Sequence, residues 1–529
     1  MKVKKLLMCV AVGVVLSTSL TGVACGANYK AYQPANEIIV SAPSDGYVTK
    51  SEKISILGAC NPKNELYING ELVEITESGF FADYVQLKDG ENVFQFKNGN
   101  KSKTLTVIKE ASQNPAFAQN VVQKAPEATQ EQQSTQEPQT TQEPKQTQDE
   151  NKEANLYDEK KAPIYGVVNR NNISHRTNPD ESNALLTPLT KGTTTQIIGE
   201  TDEYYRIYDG TYIYKETLDV KEGKLEKNKI THISFEPEAK ENTAQISFNM
   251  DYAALYSLTA DKEKAVLTVF NTKVFEPDEL TKTNLLFKDV KAVQEGENAV
   301  YTVYFKEGFN VYGRGVVFDG KRLILSLKKA PILEEHGTLK GAKIVIDAGH
   351  GDTDVGAVGP AGANGPTEKD INLQIALAAR NYLEGKGAKV VMTRSDDTFI
   401  PLNDRVNIIL NEKPDLAISI HGNSLPITSD YTNSSGLLTF YTYKDINGAV
   451  SFMNTNIAGL MDFSGKEPRQ SNLALTRITD CPAMLFETKF LSNPQDYEWL
   501  IKQENQKKFG EAIGRATEKY VESIASYKY

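Results

Sequence analysis

Between about residue 111 and residue 162 the chain runs through Gln, Glu, Thr and Pro, with Thr-Gln-Glu-Pro at 135–138 and again at 141–144. Too few apolar side chains stand there to offset the entropy of ordering, so the tract cannot join a packed core. The tract is read as a flexible linker, and a single compact fold is not expected. Setting aside this tract and a leader, 529 residues leave room for about three ordinary domains. Hydrophobic residues make up 40% of the chain, which supplies several cores and excludes global disorder.

The first residues have the layout of a secretory signal over 1–24: Lys2, Lys4 and Lys5, an apolar run from Leu6 to Leu16, then small or polar residues to Ala24. A retained anchor is the competing reading, but Ser17, Thr18, Ser19 and Thr21 cut the run short of the roughly 20 apolar residues a span needs. Gly22-Val-Ala-Cys25-Gly26 resembles a bacterial lipoprotein box, with Gly22 where leucine is usual. The expectation is export to the cell envelope or beyond, with membrane contact only through a lipid on Cys25. A formal charge of -10 argues against a nucleic-acid partner, which needs a basic face. The four cysteines, Cys9, Cys25, Cys60 and Cys481, form neither a disulfide framework nor a zinc-ribbon spacing. Any metal must therefore be held by histidines and carboxylates.

The sequence predicts a multidomain chain: all-β N-terminal modules, then a C-terminal α/β domain with a mainly parallel sheet. Residues 37–110 alternate apolar and polar between turn signals such as Ile68-Asn-Gly70 and Asp89-Gly90, the pattern of a small β-sandwich. They resemble bacterial immunoglobulin-like modules. Residues 111–162 are the linker. Residues 163–222, with Tyr204-Tyr-Arg-Ile-Tyr208 and Tyr212-Ile-Tyr214, resemble bacterial SH3-type modules; their tyrosines either line a groove or pack across strands. Residues 229–329 are again strand-rich and resemble the AMIN module. From 338 to 529 short apolar runs alternate with 3.6-period segments, which implies strands alternating with helices.

In such sheets functional groups collect beyond the carboxyl ends of the strands. Here Ile344-Val-Ile-Asp-Ala-Gly-His350 and Leu416-Ala-Ile-Ser-Ile-His421 end in histidines, and Met484-Leu-Phe-Glu487 ends in a carboxylate. Glu368 opens the first helix. Singly, each has a plain reading: a strand-end histidine satisfied in its loop, or Glu368 facing the helix dipole with Thr367 as cap. A carboxylate between Phe486 and Phe490 is less ordinary, because it is costly to ionise unless paired or used. Together they place two imidazoles and two carboxylates at one sheet edge. Two histidines and one glutamate are a catalytic zinc set with a fourth position open, and the second carboxylate is then free to act as base. Nucleotide chemistry is excluded: Gly349-His-Gly351 lacks the third glycine of a dinucleotide fingerprint, and no phosphate-loop Gly-Lys-Ser/Thr occurs.

The tail resembles zinc-dependent N-acetylmuramoyl-L-alanine amidases of the amidase-3 type. The matching segments, in order, are Ile346-Asp-Ala-Gly-His-Gly351, Glu368-Lys-Asp370 with Asn372, Thr393-Arg394, Leu402 with Arg405, Ser419-Ile-His-Gly-Asn423, Pro482-Ala-Met-Leu-Phe-Glu487 and Phe490-Leu-Ser-Asn493. The resemblance implies Zn2+ held by His350, Glu368 and His421, with Glu487 as catalytic carboxylate. It implies peptidoglycan as partner and the amide between the muramoyl lactyl group and L-alanine as the bond cut. Asp347 is a candidate acceptor for His350's second ring nitrogen, or a plain strand-end residue. Arg394, Arg405, Arg477 and Asn423 are candidate substrate contacts, the arginines alternatively serving in structural ion pairs. Lys489, just past Glu487, departs from the family pattern and is expected to alter the pocket's shape or charge. The short segment from His421 to Gly436 leaves no room for the inhibitory helix some members insert. Two rival readings stay open: a wall-binding protein with an inactive amidase fold, and a zinc peptidase cutting elsewhere in the stem peptide.

Overall fold

The structure, a computed structural model, describes residues 32–111, 155–157, 161–179, 186–236, 242–277, 287–307, 311–443, 448–463 and 466–527. The expected leader, Cys25 and most of the expected linker lie outside these residues. Among the described residues no helix is long and apolar enough to cross a membrane.

Residues 39–109 form a three-stranded sheet (Ile39–Ala42, Lys53–Ala59, Phe80–Gln86) and a five-stranded sheet that includes Gly90–Asn98 and Lys101–Lys109. Alternation drives the packing: along Gly90–Asn98 only Phe94, Phe96 and Asn98 are buried, and the two phenylalanines share a core with Ile54, Ile56 and Phe81. Asn69 and Gly70 both take positive φ in the turn between Leu66–Ile68 and Glu71–Val73, the hairpin that an Asn-Gly pair favours.

The linker reading needs correction at its far end. Asn155–Leu156 pairs antiparallel with Gly199 and Glu200, and Lys161 bonds Glu200 at 2.7 Å; backbone pairing orders a segment whose side chains give little signal. The sheet built on Ile164–Val168, Thr194–Glu200 and Leu218–Glu222 does not stand apart from the strands of 228–328. Ile197, Ile207 and Ile213 share one core with Phe248, Tyr301 and Leu325.

The elements of the C-terminal domain are β1 (Lys343–Ala348), α1 (Glu368–Gly385), β2 (Lys389–Met392), α2 (Leu402–Glu412), β3 (Leu416–Asn423), β4 (Leu438–Tyr441), α3 (Ala449–Met461), β5 (Arg469–Gln470), β6 (Ala483–Phe490), α4 (Pro494–Leu500) and α5 (Gln503–Ile524). They make one sheet in the order β2-β1-β3-β6-β4-β5. β2, β1, β3 and β6 run parallel, and β4 joins β6 antiparallel. The carboxyl ends of β1, β3 and β6 therefore share one edge, with His421 directly opposite Glu487.

Helix α1 presents Ile371, Ile375, Ala379 and Leu383 at four-residue spacing, and α5 presents Phe509, Ile513, Ala516 and Tyr520. A side chain at Gly510 would lie 2.4 Å from the Ile375 carbonyl oxygen, so glycine there lets the two helices close. The same core takes in Ala59 and Phe80 of the sandwich and Tyr312 and Leu333 of the preceding strands. Phe80 meets the Tyr497 ring edge-on at 5.0 Å. The modules are thus docked on the C-terminal domain.

Candidate active site

His350 lies just past β1, in a loop where it, Gly351 and Asp352 all have positive φ. Two buried arginines hold this left-handed turn. Arg394 donates to the carbonyls of Ala348, Gly349, Asp396 and Lys369. Arg405 donates to those of Ala348, His350 and Ile400, and to Asp347 at 2.8 Å. Both side chains are therefore committed to the loop backbone and not to substrate carboxylates. Asp347 likewise accepts from Thr393, Ser419 and Arg405 at 2.6–2.8 Å. Burial would raise its carboxyl, but Arg405 and His421 outweigh that and it stays below its ordinary value.

Asp347 is thus occupied by Thr393, Ser419 and Arg405, and His350 Nδ1 instead donates to Asp354 at 2.9 Å. Asp354 is the functional residue the sequence reading missed. Its signal was its place four residues after a histidine in Gly-His-Gly-Asp-Thr-Asp, visible only once the turn folds back with paired bonds between Gly351 and Asp354.

Glu368 is the first residue of α1. Asp370 anchors that end by accepting from the Thr367 N–H at 2.9 Å and hydroxyl at 3.1 Å. Glu368 Oε1 receives Asn372 Nδ2 and the Gly422 N–H, and Oε2 receives the Ala357 N–H. The same Oε1 lies 3.0 Å from His350 Nε2 and 3.0 Å from His421 Nδ1. Gly356 is required beside it: φ is +65°, and a Cβ would fall 2.6 Å from Glu368 Oε2 and 2.7 Å from His350 Cδ2.

One ligand-type atom from each of His350, Glu368 and His421 lies within 4.8 Å of the others. Burial opposes charge on His350, but Glu368 and Asp354 outweigh it and raise the imidazole to about 9. Burial also opposes charge on Glu368, and the two histidines overcome it, holding the carboxylate well below its ordinary value. Glu487 moves the other way: burial and then the Glu368 charge push it up to about 8, against a smaller pull from His350. Its Oε2 has no hydrogen-bond partner among the described residues. Two carboxylates whose surroundings drive them apart is the pattern of a divided acid–base task. The donor set suits a zinc ion: two imidazoles and one carboxylate, with His350 held by Asp354 and Glu368 by Asn372 and two backbone N–H groups, and an orphaned carboxylate oxygen alongside.

The other sequence candidates fall elsewhere. Arg477 precedes β6, bonds Asn472 and lines a cleft against the 164–222 sheet, away from the strand end that carries Glu487. Asn423 is at the active edge, its Oδ1 accepting from the Ser424 N–H. Lys489 does not reach the pocket. A register shift at the end of the β3–β6 pairing turns it to Asp496, at 2.6 Å, and over the rings of Phe463 and Trp499.

A parallel sheet edge that gathers a ligand-type triad and a separate, proton-holding glutamate defines a hydrolase. Residues 344–519 match the family profile described as N-acetylmuramoyl-L-alanine amidase. The uncharacterized protein YqiI of Bacillus subtilis (strain 168) is 31% identical over 200 residues, which cover 37% of this chain and 93% of that protein. The probable cell wall amidase LytH of Staphylococcus epidermidis (strain ATCC 12228 / FDA PCI 1200) is 34% identical over 186 residues, covering 35% of this chain and 60% of LytH. The solved catalytic domain of CwlV, an amidase from Bacillus (Paenibacillus) polymyxa var. colistinus, is 33% identical across 35% of this chain and 99% of that one, with a TM-score of 0.32. The chain belongs to the N-acetylmuramoyl-L-alanine amidase family.

Proposed function

We propose that this protein is an exported, zinc-dependent peptidoglycan amidase that cleaves the bond between the muramoyl lactyl group and L-alanine. The observation that carries the reading is the buried His350–Glu368–His421 triad with Glu487, raised to about 8, directly across from His421. The triad would hold Zn2+, which supplies Lewis-acid polarisation of the amide carbonyl and acidifies water. Asp354 fixes the ring of His350, and Arg394 and Arg405 fix its loop, so the site is set before substrate arrives. Glu487 takes a proton from the attacking water and delivers it to the departing amine; a carboxyl titrating near neutral pH can do both. Asn423, two residues past His421 on the same edge, is the remaining candidate for a substrate contact. The relatives' names support a cell-envelope location and peptidoglycan as partner. The Ig-like, SH3-like and AMIN-like readings of the β modules, and a lipid on Cys25, belong to the same proposal.

The test is product analysis on purified wall and soluble muropeptides. A new L-alanine amino terminus is expected; another terminus would assign a stem-peptide peptidase. Glu487→Gln, nearly isosteric, should keep fold and zinc while hydrolysis falls by roughly 10² to 10⁴. Unchanged turnover in that variant would remove Glu487 from the mechanism, and no turnover in the metal-loaded parent would favour a non-catalytic wall-binding role.

A further inference from the structure

The loop that leaves β3 carries the chain from His421 and Asn423 out over the active edge, where segments beyond the carboxyl ends of parallel strands wall the cleft. Its two ends are fastened within the C-terminal domain: the Leu425 N–H donates to Ser492 Oγ at 3.1 Å, and Asn493 Nδ2 donates to the Tyr431 carbonyl at 3.1 Å. Its middle is fastened to the N-terminal sandwich. The carbonyls of Ile427, Thr428 and Ser429 accept in turn from the Ser55 N–H at 2.7 Å, the Tyr84 hydroxyl at 3.0 Å and Ser55 Oγ at 2.7 Å. Ser55 Oγ also accepts the Tyr431 N–H at 3.2 Å. The Ile427 side chain packs against the sandwich core that holds Ile54, Ile56 and Phe81.

Ser55 stands in the strand Lys53–Ala59, between two core isoleucines, and is itself fully buried. Pairing with Ile39–Ala42 reaches only as far as Leu57, and beyond it the Ile427 carbonyl takes the Ser55 N–H. The hydroxyl is satisfied as donor and as acceptor by the same loop, so alanine there would take a partner from both the Ser429 carbonyl and the Tyr431 N–H. A plain seam would explain these bonds if they were what holds the sandwich on. Other contacts already do that: Phe80 meets Tyr497, and Ser78 Oγ donates to Glu498 Oε1 at 2.8 Å, both on α4. Ser55 is committed instead to three backbone groups of the one loop that begins just past Asn423.

We propose that Ser55 is a positioning residue for the amidase reaction, a reading that rests on the amidase assignment above: it fixes residues 427–431 and so sets the wall of the cleft beside Asn423, which makes the sandwich part of the substrate site. The Leu491 N–H donates to the Asn423 carbonyl at 2.7 Å, and the Gly422 N–H donates to Glu368 Oε1 at 3.1 Å, so the end of β3 stays pinned when the loop loosens. The triad should then keep its metal, and the loss should fall on substrate binding.

The test compares the full-length parent, Ser55→Ala and Ser55→Thr, all loaded with zinc, on a soluble muropeptide. Ser55→Ala should raise KM at least about tenfold, with kcat within about twofold and zinc content unchanged, and amide exchange across 424–431 should quicken by a similar factor. Ser55→Thr keeps the hydroxyl and should restore both. Should Ser55→Ala fail to fold, Tyr84→Phe removes only the half-buried bond to Thr428 and should raise KM and loop exchange by about threefold; no change there would overturn the proposal. An inactive zinc-loaded parent would sink the amidase reading and this one with it. An active parent would sink this one alone if Ser55→Ala kept its KM, lost zinc and kcat together at constant KM, or raised KM without faster exchange in the loop.

Discussion

Metal affinity in this site should depend steeply on pH, because the ion must displace a proton. In the metal-free protein Glu368 and Asp354 raise His350 to about 9, so at pH 7 the imidazole is protonated and shares that proton with Glu368. A ligand must be neutral to bind, and each pH unit below the imidazole's value weakens apparent affinity by about tenfold. From pH 7 to about 9 the neutral fraction of the imidazole rises from about one in a hundred to about one half, so zinc should bind about 50-fold more tightly at pH 9 than at pH 7. Competition against a chelator of known pH dependence measures this. Calorimetry at pH 7 in two buffers of different ionisation enthalpy should show about one proton released. Asp354→Asn removes one of the two carboxylates that raise His350, so the rise in affinity should level off at lower pH. Its affinity at pH 9 should nonetheless fall by about 10- to 100-fold, because the ring loses its carboxylate acceptor. Flat affinity between pH 7 and pH 9, with no proton released, would refute the reasoning.

The same shift has a consequence for the metal-free fold. His350 is raised above its unfolded value of 6.5, so its contribution to stability is complete below pH 6.5 and is lost as pH rises through about 9; denaturant midpoints across that window should fall. Arg405→Met should destabilise the protein by about 3–5 kcal/mol in urea unfolding, since it leaves Asp347 charged, buried and unpaired by its arginine. Gly356→Ala, strained by positive φ and crowded by Glu368 and His350, should cost about 1–3 kcal/mol and weaken metal binding, measured by the same competition. Phe80→Ala, although in the sandwich, should destabilise the catalytic domain by about 3–5 kcal/mol; a change confined to the sandwich, seen by hydrogen exchange, would mean that the docked core is not shared.

The composition of the tract after residue 111 predicts a chain divided into units, whereas the structure joins the modules in shared cores; hydrophobic period marks the tail as strands alternating with helices, and long helices are found there. Short α4 and the two-residue β5 escaped, because neither is long enough to show a period. His350, Glu368, His421 and Glu487 could be read together because each ends a strand or opens a helix, and the parallel order of β1, β3 and β6 brings such ends to one edge. Tertiary structure alone decided which neighbour each functional group received. Along the chain Asp347 is the candidate acceptor for His350, and the left-handed turn at His350 brings Asp354 to it instead. For Arg394 and Arg405 the chain leaves substrate contact and structural pairing both open, and the loop carbonyls that take their donors favour the structural role. Lys489 reads as a pocket residue until the shifted register turns it toward Asp496. The docking of the modules was invisible for the same reason. Local sequence sets backbone period and element type, whereas hydrogen-bond partners and shared cores depend on loop turns, register shifts and surfaces far apart in the chain.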